Sequence, residues 1–404
     1  YSISLNNDGT KLAIGAPYND GGGTDSGHTR IYQYGGVSYW SQLGSDIDGE
    51  GVYNYSGYSV SMSGDGTIVA IGSPYSNENG SNSGHVSVYE YSSGSWSQLG
   101  SDIDGEAAHD LSGYSVSLSN DGTIVAIGAP QGGSRAGIVR IYQYSSGSWS
   151  QLGSNIGGEA TNDESGQSVS LSSDGTIVAI GAWFNHDGAF QSGHVRVYQY
   201  SSGSWSQLGS DIDGESAFDR SGTSVSINSD GTIVAIGAPK NDGGGSNSGH
   251  VRVYQYSSGS WSQLGSDIDG ELSSHASGTS VSLNSDGTKL AIGSPGRDAG
   301  QVQVYQYSSG SWSQLGSDID GDGASDQFGY SVSMSGDGTI IAASAHHSDG
   351  SDKGYTKVYN QLFSWSQLGS DIDGEAAGDI SGYSISMNSD GTIVAIGAHG
   401  NDGN

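Results

Sequence analysis

The sequence predicts an all-β ring of small antiparallel sheets, a β-propeller, from three observations. The first is repetition. Near-copies of one unit begin at Tyr1, Ser56, Ser112, Ser165, Ser221, Ser277 and Phe328, spaced 51 to 56 residues apart, and a partial unit runs from Ser381 to Asn404. A fixed period of this size marks a repeat architecture. The second is that each unit holds four short segments of strand chemistry separated by turn residues. The third is the lack of helix signals: 70 of the 404 residues are Gly, and no stretch shows a 3.6-residue apolar period.

The unit from Ser221 shows the elements in order. Ser224-Val225-Ser226-Ile227 alternates small polar with apolar, the period of a strand. Asn228-Ser229-Asp230-Gly231 follows, with Gly available for the positive φ of a tight hairpin. The uncharged run from Thr232 to Ala238 suits a strand buried on both faces. Pro239 opens a Gly/Asn/Asp/Ser loop. His250 to Tyr256 is an alternating third strand rich in β-branched and aromatic residues. Ser257-Ser258-Gly259-Ser260 turns the chain into a fourth strand from Trp261 to Ile268, and Asp269-Gly270-Glu271 leads out to the next unit.

Four antiparallel strands in about fifty residues make a propeller blade. A lone blade cannot bury both faces, so its neighbours must stack on it. The Ser residues at alternate positions of the first strand let adjacent sheets approach closely. Residues 1–404 therefore read as a single propeller of seven blades, with eight as the alternative because of the remainder after Ser381. The chain opens inside a first strand and stops in a loop after a second, which reads as a segment of a longer frame.

Composition narrows the function classes. With 43 acidic against 12 basic residues the formal charge is −31. Nucleic acid would be repelled and anionic membrane surfaces are disfavoured as partners, because both call for a cationic face. No apolar stretch is long enough to insert in a bilayer. A strongly acidic chain suits a soluble extracellular protein. There is no cysteine, so disulfides contribute nothing.

Paired short motifs recur in register. Phe328-Gly329 stands where the other units carry Ser-Gly, as in Ser56-Gly57 and Ser112-Gly113. A second element reads Gly15-Ala16-Pro17, Gly128-Ala129-Pro130 and Gly237-Ala238-Pro239, and drifts to Gly72-Ser73-Pro74, Gly181-Ala182-Trp183 and Gly293-Ser294-Pro295. With these motifs the chain resembles the FG-GAP repeats of the integrin α-subunit head and its bacterial and algal relatives. The resemblance implies a seven-bladed propeller used in extracellular adhesion and ligand binding. It also implies calcium loops of the DxDxDG kind between the first two strands. Here that loop is only Asn7-Asp8-Gly9 or Ser229-Asp230-Gly231, too poor in carboxylates for a calcium cage.

Candidate sites follow from what repeats and what does not. The acidic run after the fourth strand (Asp102, Asp104, Glu106; Asp211, Asp213, Glu215; Asp267, Asp269, Glu271) offers the oxygen ligands that calcium takes. Its structural reading is a charged sheet edge that discourages pairing between molecules. No motif requires a cofactor, and calcium is the ion these runs would take. One Trp per unit (Trp40, Trp96, Trp149, Trp205, Trp261, Trp312, Trp365) is expected to pack between neighbouring blades, with a repeated sugar platform as the alternative. The regularly spaced His28, His85, His194 and His250 are expected to be structural.

A catalytic centre needs unlike environments, so chemistry is sought where copies diverge. Trp183-Phe184-Asn185-His186-Asp187, with Phe190 nearby, departs from the repeat in the loop between strands two and three. His346, His347 and Asp349 occupy the matching loop of the seventh unit, and Arg135 and Arg297 lie in shortened versions. Trp183, Phe184, His186, His346, His347 and Asp349 are the candidate ligand-binding residues. No catalytic residue is assigned. A non-enzymatic module binding a protein or glycan partner, or assembling with itself, is the expected function. A lectin and an architectural adhesin or filament segment are the alternatives.

Overall fold

The computed structural model describes residues 2–5, 11–20, 22–34, 40–345, 355–361, 365–367, 372–373, 381–387 and 394–398. Seven antiparallel sheets follow one another in the chain, each built from one unit. A two-stranded sheet, Ser381–Met387 with Val394–Ala398, packs against the inner strands of both the seventh and the first blade and closes the seam of the ring. Seven complete blades is thus the count found. The one helical turn among the described residues, Gly132–Arg135, takes left-handed angles at Gly133 and Ser134.

Blade five shows how one unit folds. Strands one and two, Ser224–Ile227 and Ile233–Ala238, form a hairpin whose Gly231 has φ 75°. Asp230 accepts hydrogen bonds from the Thr232 amide at 3.0 Å and its hydroxyl at 2.6 Å, closing the turn. Strand three, His250–Ser257, pairs along the whole of strand two. It turns through Ser258 and Gly259, both at positive φ, into strand four, Ser260–Gln263. That pair of angles is the type I′ geometry whose twist matches the strands.

The expected single outer strand is split in two. Gln263 pairs with Tyr254 and Ile268 with Val251, so the ladder is interrupted over Leu264–Asp267, with Leu264 still bonded to Val253 at 2.7 Å, before the short fifth strand Ile268–Asp269. The cause is the neighbouring blade. Gly265 sits at φ 83°, and a Cβ there would lie 2.8 Å from Cδ1 of Trp312. Trp312 in turn donates its indole N–H to the Leu264 carbonyl at 2.7 Å. The same bond links Trp96 to Leu43, Trp149 to Leu99, Trp205 to Leu152 and Trp261 to Leu208. The described tryptophans are therefore knobs between blades, as expected, and their N–H groups are not available to a sugar. Trp40 and Trp365 have no described side chains.

Apolar side chains fill each gap between blades. Ile177, Ala179, Val195, Val197 and Ile212 of blade four meet Ile227, Val234 and Ile236 of blade five, with Tyr254 and Trp261 against their edge. Each fully buried branched side chain contributes roughly 1.5–3 kcal/mol, so no blade holds its shape without the next. The alternating Ser residues do more than make room. Ser224 donates its hydroxyl to the Gly278 carbonyl at 2.9 Å, and Ser226 accepts from the Leu283 amide at 3.0 Å. Equivalent pairs bridge the earlier junctions, from Ser115 and Ser117 to Gly166 and Leu171, and from Ser168 and Ser170 to Gly222 and Ile227.

The two glycine motifs meet at these same junctions. A Cβ on Gly237 would stand 2.0 Å from the Gly278 carbonyl oxygen, and one on Gly181 would stand 2.1 Å from that of Gly222. Backbones of consecutive units touch here, and only the absence of a side chain permits it. Phe328 fills the place that Ser holds elsewhere; it is fully buried and stacks 5.9 Å from Tyr355.

Candidate functional site

The loops between strands two and three, the acidic runs and the connectors to the next blade all lie at one end of the ring. Backbone bonds zip each loop to its connector: Ser221 N–H to Ser192 C=O at 2.8 Å, Ser277 to Ser248 at 2.8 Å, Ser112 to Ser83 at 3.0 Å. A parallel bridge between Gly193 and Ser221, and its equivalents, continue the link. This end is therefore a fixed platform rather than a set of loose loops.

Blade four breaks the pattern on that platform. Trp183 and Phe184 pack edge to face at 4.8 Å, and the Arg220 guanidinium lies over both rings at 4.8 and 5.3 Å. Trp183 donates its indole N–H to Glu164 at 2.8 Å, and Glu164 is ion-paired with Arg135. His186 accepts from the Gln191 amide at 2.9 Å and stacks on Phe190 at 4.7 Å. Phe190 then meets Phe218 of the connector at 5.3 Å, and both phenyl rings are 56 % exposed. Three of the six expected ligand-binding residues thus lie in aromatic contacts of this loop, Trp183 with Phe184 and His186 with Phe190. His346, His347 and Asp349 lie outside the described residues. The sequence reading missed Phe218 and Arg220, whose signal was available: no other unit places an aromatic and a basic residue in that connector.

The acidic runs act differently from the expected cages. The last acid of each run reaches the next blade. Glu106 bonds Arg140 at 2.7 Å, Glu159 lies 3.5 Å from Arg196, Glu215 lies 3.4 Å from Arg252, and Asp322 pairs with Lys357. In blade six Gln303 takes the arginine's place, donating to Glu271 at 3.2 Å. The basic partners are nearly buried on strand three, and the neighbouring carboxylate offsets the desolvation of each charge. Asp102 accepts from Ser87 and Gln98 of its own blade, both at 2.6 Å. The runs are thus clasps between blades. Sequence reasoning missed Arg140, Arg196 and Arg252, although a basic residue recurring inside an apolar strand was a visible signal. Asp104, Asp213 and Asp269 flank the buried Ile residues, and burial with a neighbouring Asp or Glu pushes all three above the ordinary carboxylate range.

Among the described residues three places bring together three or more metal-ligating side chains: His28, Asp46 and Asp48; Glu159, Asp187, His194 and Asp211; and Glu215, His250 and Asp267. Of the expected calcium residues, Asp211, Glu215 and Asp267 fall in these groups, each beside an imidazole. Burial, with Arg252 nearby, pulls His250 down to about 4, and burial, with Arg196 nearby, lowers His194 below its ordinary value. Burial and the Asp187 and Asp211 carboxylates hold Glu159 above its usual range despite Arg196. Asp187 is lowered by bonds from Asn185 and Glu159.

Like blades arranged radially, bonded inner strand to inner strand, define a β-propeller. The FG-GAP repeat family matches three stretches of the chain, residues 47–89, 212–254 and 312–359. No curated protein matches the chain. Among solved structures it is similar to a Bacteroides uniformis protein described as a "putative 6-phosphogluconolactonase", at 13 % identity, TM-score 0.63, over 91 % of this chain and 98 % of that one. A Bacteroides fragilis protein of the same description follows at 14 % identity, TM-score 0.61, over 91 % and 96 %. A functionally unknown protein from Desulfotomaculum acetoxidans is similar at 11 % identity, TM-score 0.56, over 86 % and 96 %. At these identities the likeness is one of fold alone. No helix among the described residues is long and apolar enough to cross a membrane.

Proposed function

We propose that the chain is a non-enzymatic, extracellular binding module that engages a protein or glycan through the platform of blade four. One observation carries this reading: in blade four, Trp183, Phe184, His186 and Phe190 stand where blade five has Pro239, Lys240, Asp242 and Ser246, and with Phe218 and Arg220 of the connector they build an aromatic surface on which His186, Phe190 and Phe218 are exposed. Flat aromatic faces next to a guanidinium suit the C–H faces of a sugar or an apolar side chain on a partner. The extracellular setting follows the FG-GAP resemblance and the acidic charge.

A lactonase role, which the names of the two Bacteroides proteins bring to mind, has less support. A phosphorylated sugar acid is an anion, and a formal charge of −31 repels it. The test pairs two measurements. The native chain and a Phe190→Ser/Phe218→Ser variant are compared on a glycan array and on partner-bearing cell surfaces, with 6-phosphogluconolactone hydrolysis followed in parallel. Binding that falls at least tenfold in a variant of unchanged melting temperature supports the reading. Equal binding by the variant, no binding by either, or hydrolysis above the buffer rate overturns it.

A further inference from the structure

His194 begins strand three of blade four, and its side chain is fully buried. Neither ring nitrogen has a hydrogen-bond partner. A buried imidazole without partners is costly, and blade two shows one way in which it is met. His85 of blade two bonds the Ser76 hydroxyl at 2.9 Å through Nδ1. The position of Ser76 is held in blade four by Asn185, which is turned away: its amide donates to Asp187 at 3.2 Å, and its carbonyl accepts from the Asp187 backbone at 2.8 Å. His194 Nδ1 faces Glu159 Oε2 at 3.9 Å instead, too far for a hydrogen bond.

Three carboxylates converge on that imidazole from three segments. Glu159 comes from the clasp of blade three, Asp187 from the divergent loop, and Asp211 from the acidic run of blade four. The four donor atoms lie within 4.8 Å of one another. Arg196 lies 3.5 Å from Glu159 Oε1 and donates to the Gly157 carbonyl at 2.7 Å. It thus engages one oxygen of Glu159 and leaves the other towards His194. Gly157 stands where the other runs carry Asp, and a Cβ there would meet nothing within 4 Å.

We propose that Glu159, Asp187, His194 and Asp211 form a binding site for one divalent transition-metal ion of the zinc class, joining blades three and four and anchoring the base of the aromatic loop. The donor set decides the class. Calcium takes oxygen ligands, whereas one imidazole with carboxylates suits zinc and its neighbours. Bonds of about 2.1 Å to a tetrahedral ion place donors roughly 3.4 Å apart. Glu159 and Asp187, both exposed, close the remaining distance by rotamer changes around a fixed His194. The site stands independently of any partner on the aromatic surface.

The experiment uses the whole chain after chelator dialysis, titrated with Zn2+ against a chromophoric chelator and with Co2+ for its ligand-field spectrum. Asp187→Asn changes an exposed residue, so its metal-free melting should stay near native; Glu159→Gln also weakens the clasp on Arg196, so its zinc response is read against its own metal-free melting; His194→Gln tests the imidazole. The expected result is a zinc site weakened at least tenfold in each variant, a zinc-induced rise in melting temperature lost in the Glu159→Gln/Asp187→Asn double variant, and a tetrahedral Co2+ spectrum that needs His194. Glu215→Gln, at the neighbouring group, should leave this site unchanged. No zinc uptake, zinc retained at native affinity by the double variant, or calcium displacing zinc at equal concentration would each overturn the proposal.

Discussion

Blades four and five are built from nearly the same strands and differ in one loop and in the connector beside it. Each has the Ser-Val-Ser first strand, the Ile-Val-Ala-Ile-Gly-Ala second and the His-Val-Arg-Val-Tyr-Gln-Tyr third, with matching registers. In blade five Pro239-Lys240-Asn241 follows the second strand, and the Asn241 amide donates to Asp219 at 3.0 Å. In blade four Trp183-Phe184-Asn185 stands there, Asn185 turns to Asp187, and His194 is left without a partner. The changed loop redirects an amide and, together with Phe218 of the connector, exposes two phenyl rings, while the scaffold beneath is unchanged. The repeat supplies rigidity, and departures from it supply the surface chemistry.

If that division is right, scaffold changes should act alike in both blades. Gly181→Val and Gly237→Val each force a side chain into a backbone oxygen about 2 Å away, and each should cost about 3–5 kcal/mol or prevent folding. Soluble, cooperatively melting protein from either variant would show that the glycine contact is not required. Trp205→Ala and Trp261→Ala lose a large inter-blade side chain and its bond to the preceding Leu carbonyl. Chemical denaturation should report about 3–4 kcal/mol for both, and a clear inequality would break the equivalence of the junctions.

Smaller effects sharpen the contrast. Glu215→Gln weakens the clasp on Arg252 but leaves the arginine its bond to the Asp213 carbonyl at 2.6 Å. A loss of about 1 kcal/mol is expected, shrinking in high salt. The turn carboxylates titrate in a defined direction. Burial pushes Asp230 up, but bonds from Thr232 and Asn228 outweigh it and hold its pKa below the usual value, as at Asp174 in blade four. A lowered folded-state pKa adds stability that is present above about pH 4 and is lost as pH falls through the folded value. Asp230→Asn should therefore cost about 0.5 kcal/mol near neutrality, since solvent screens the exposed group, with the gap to native closing in acid melts. Phe190→Ser should change stability least, by under about 0.5 kcal/mol, and is expected to act on binding alone.

Much of this was legible in the sequence. Alternation, Asp-Gly and Ser-Gly turns and the fixed period specified strands, hairpins and ring, because each depends on neighbours within a few residues. The junction role of the tryptophans was also foreseeable, since a large aromatic repeated once per blade has to be buried. The interruption at Leu264–Asp267 was not, because its cause is Trp312 in another unit. Likewise the run Asp211-Ile212-Asp213-Gly214-Glu215 reads as a set of oxygen ligands until the fold brings Arg252 against its last member.

The sequence by itself determined the strands, the repeat and the loop that departs from it, for these rest on local backbone preference and periodic burial. Only the tertiary structure decided which carboxylate meets which base, and that His194 faces three acids from separate segments without a hydrogen bond. Those facts depend on contacts between neighbouring units and between distant segments of one unit, and packing around the ring is what sets them.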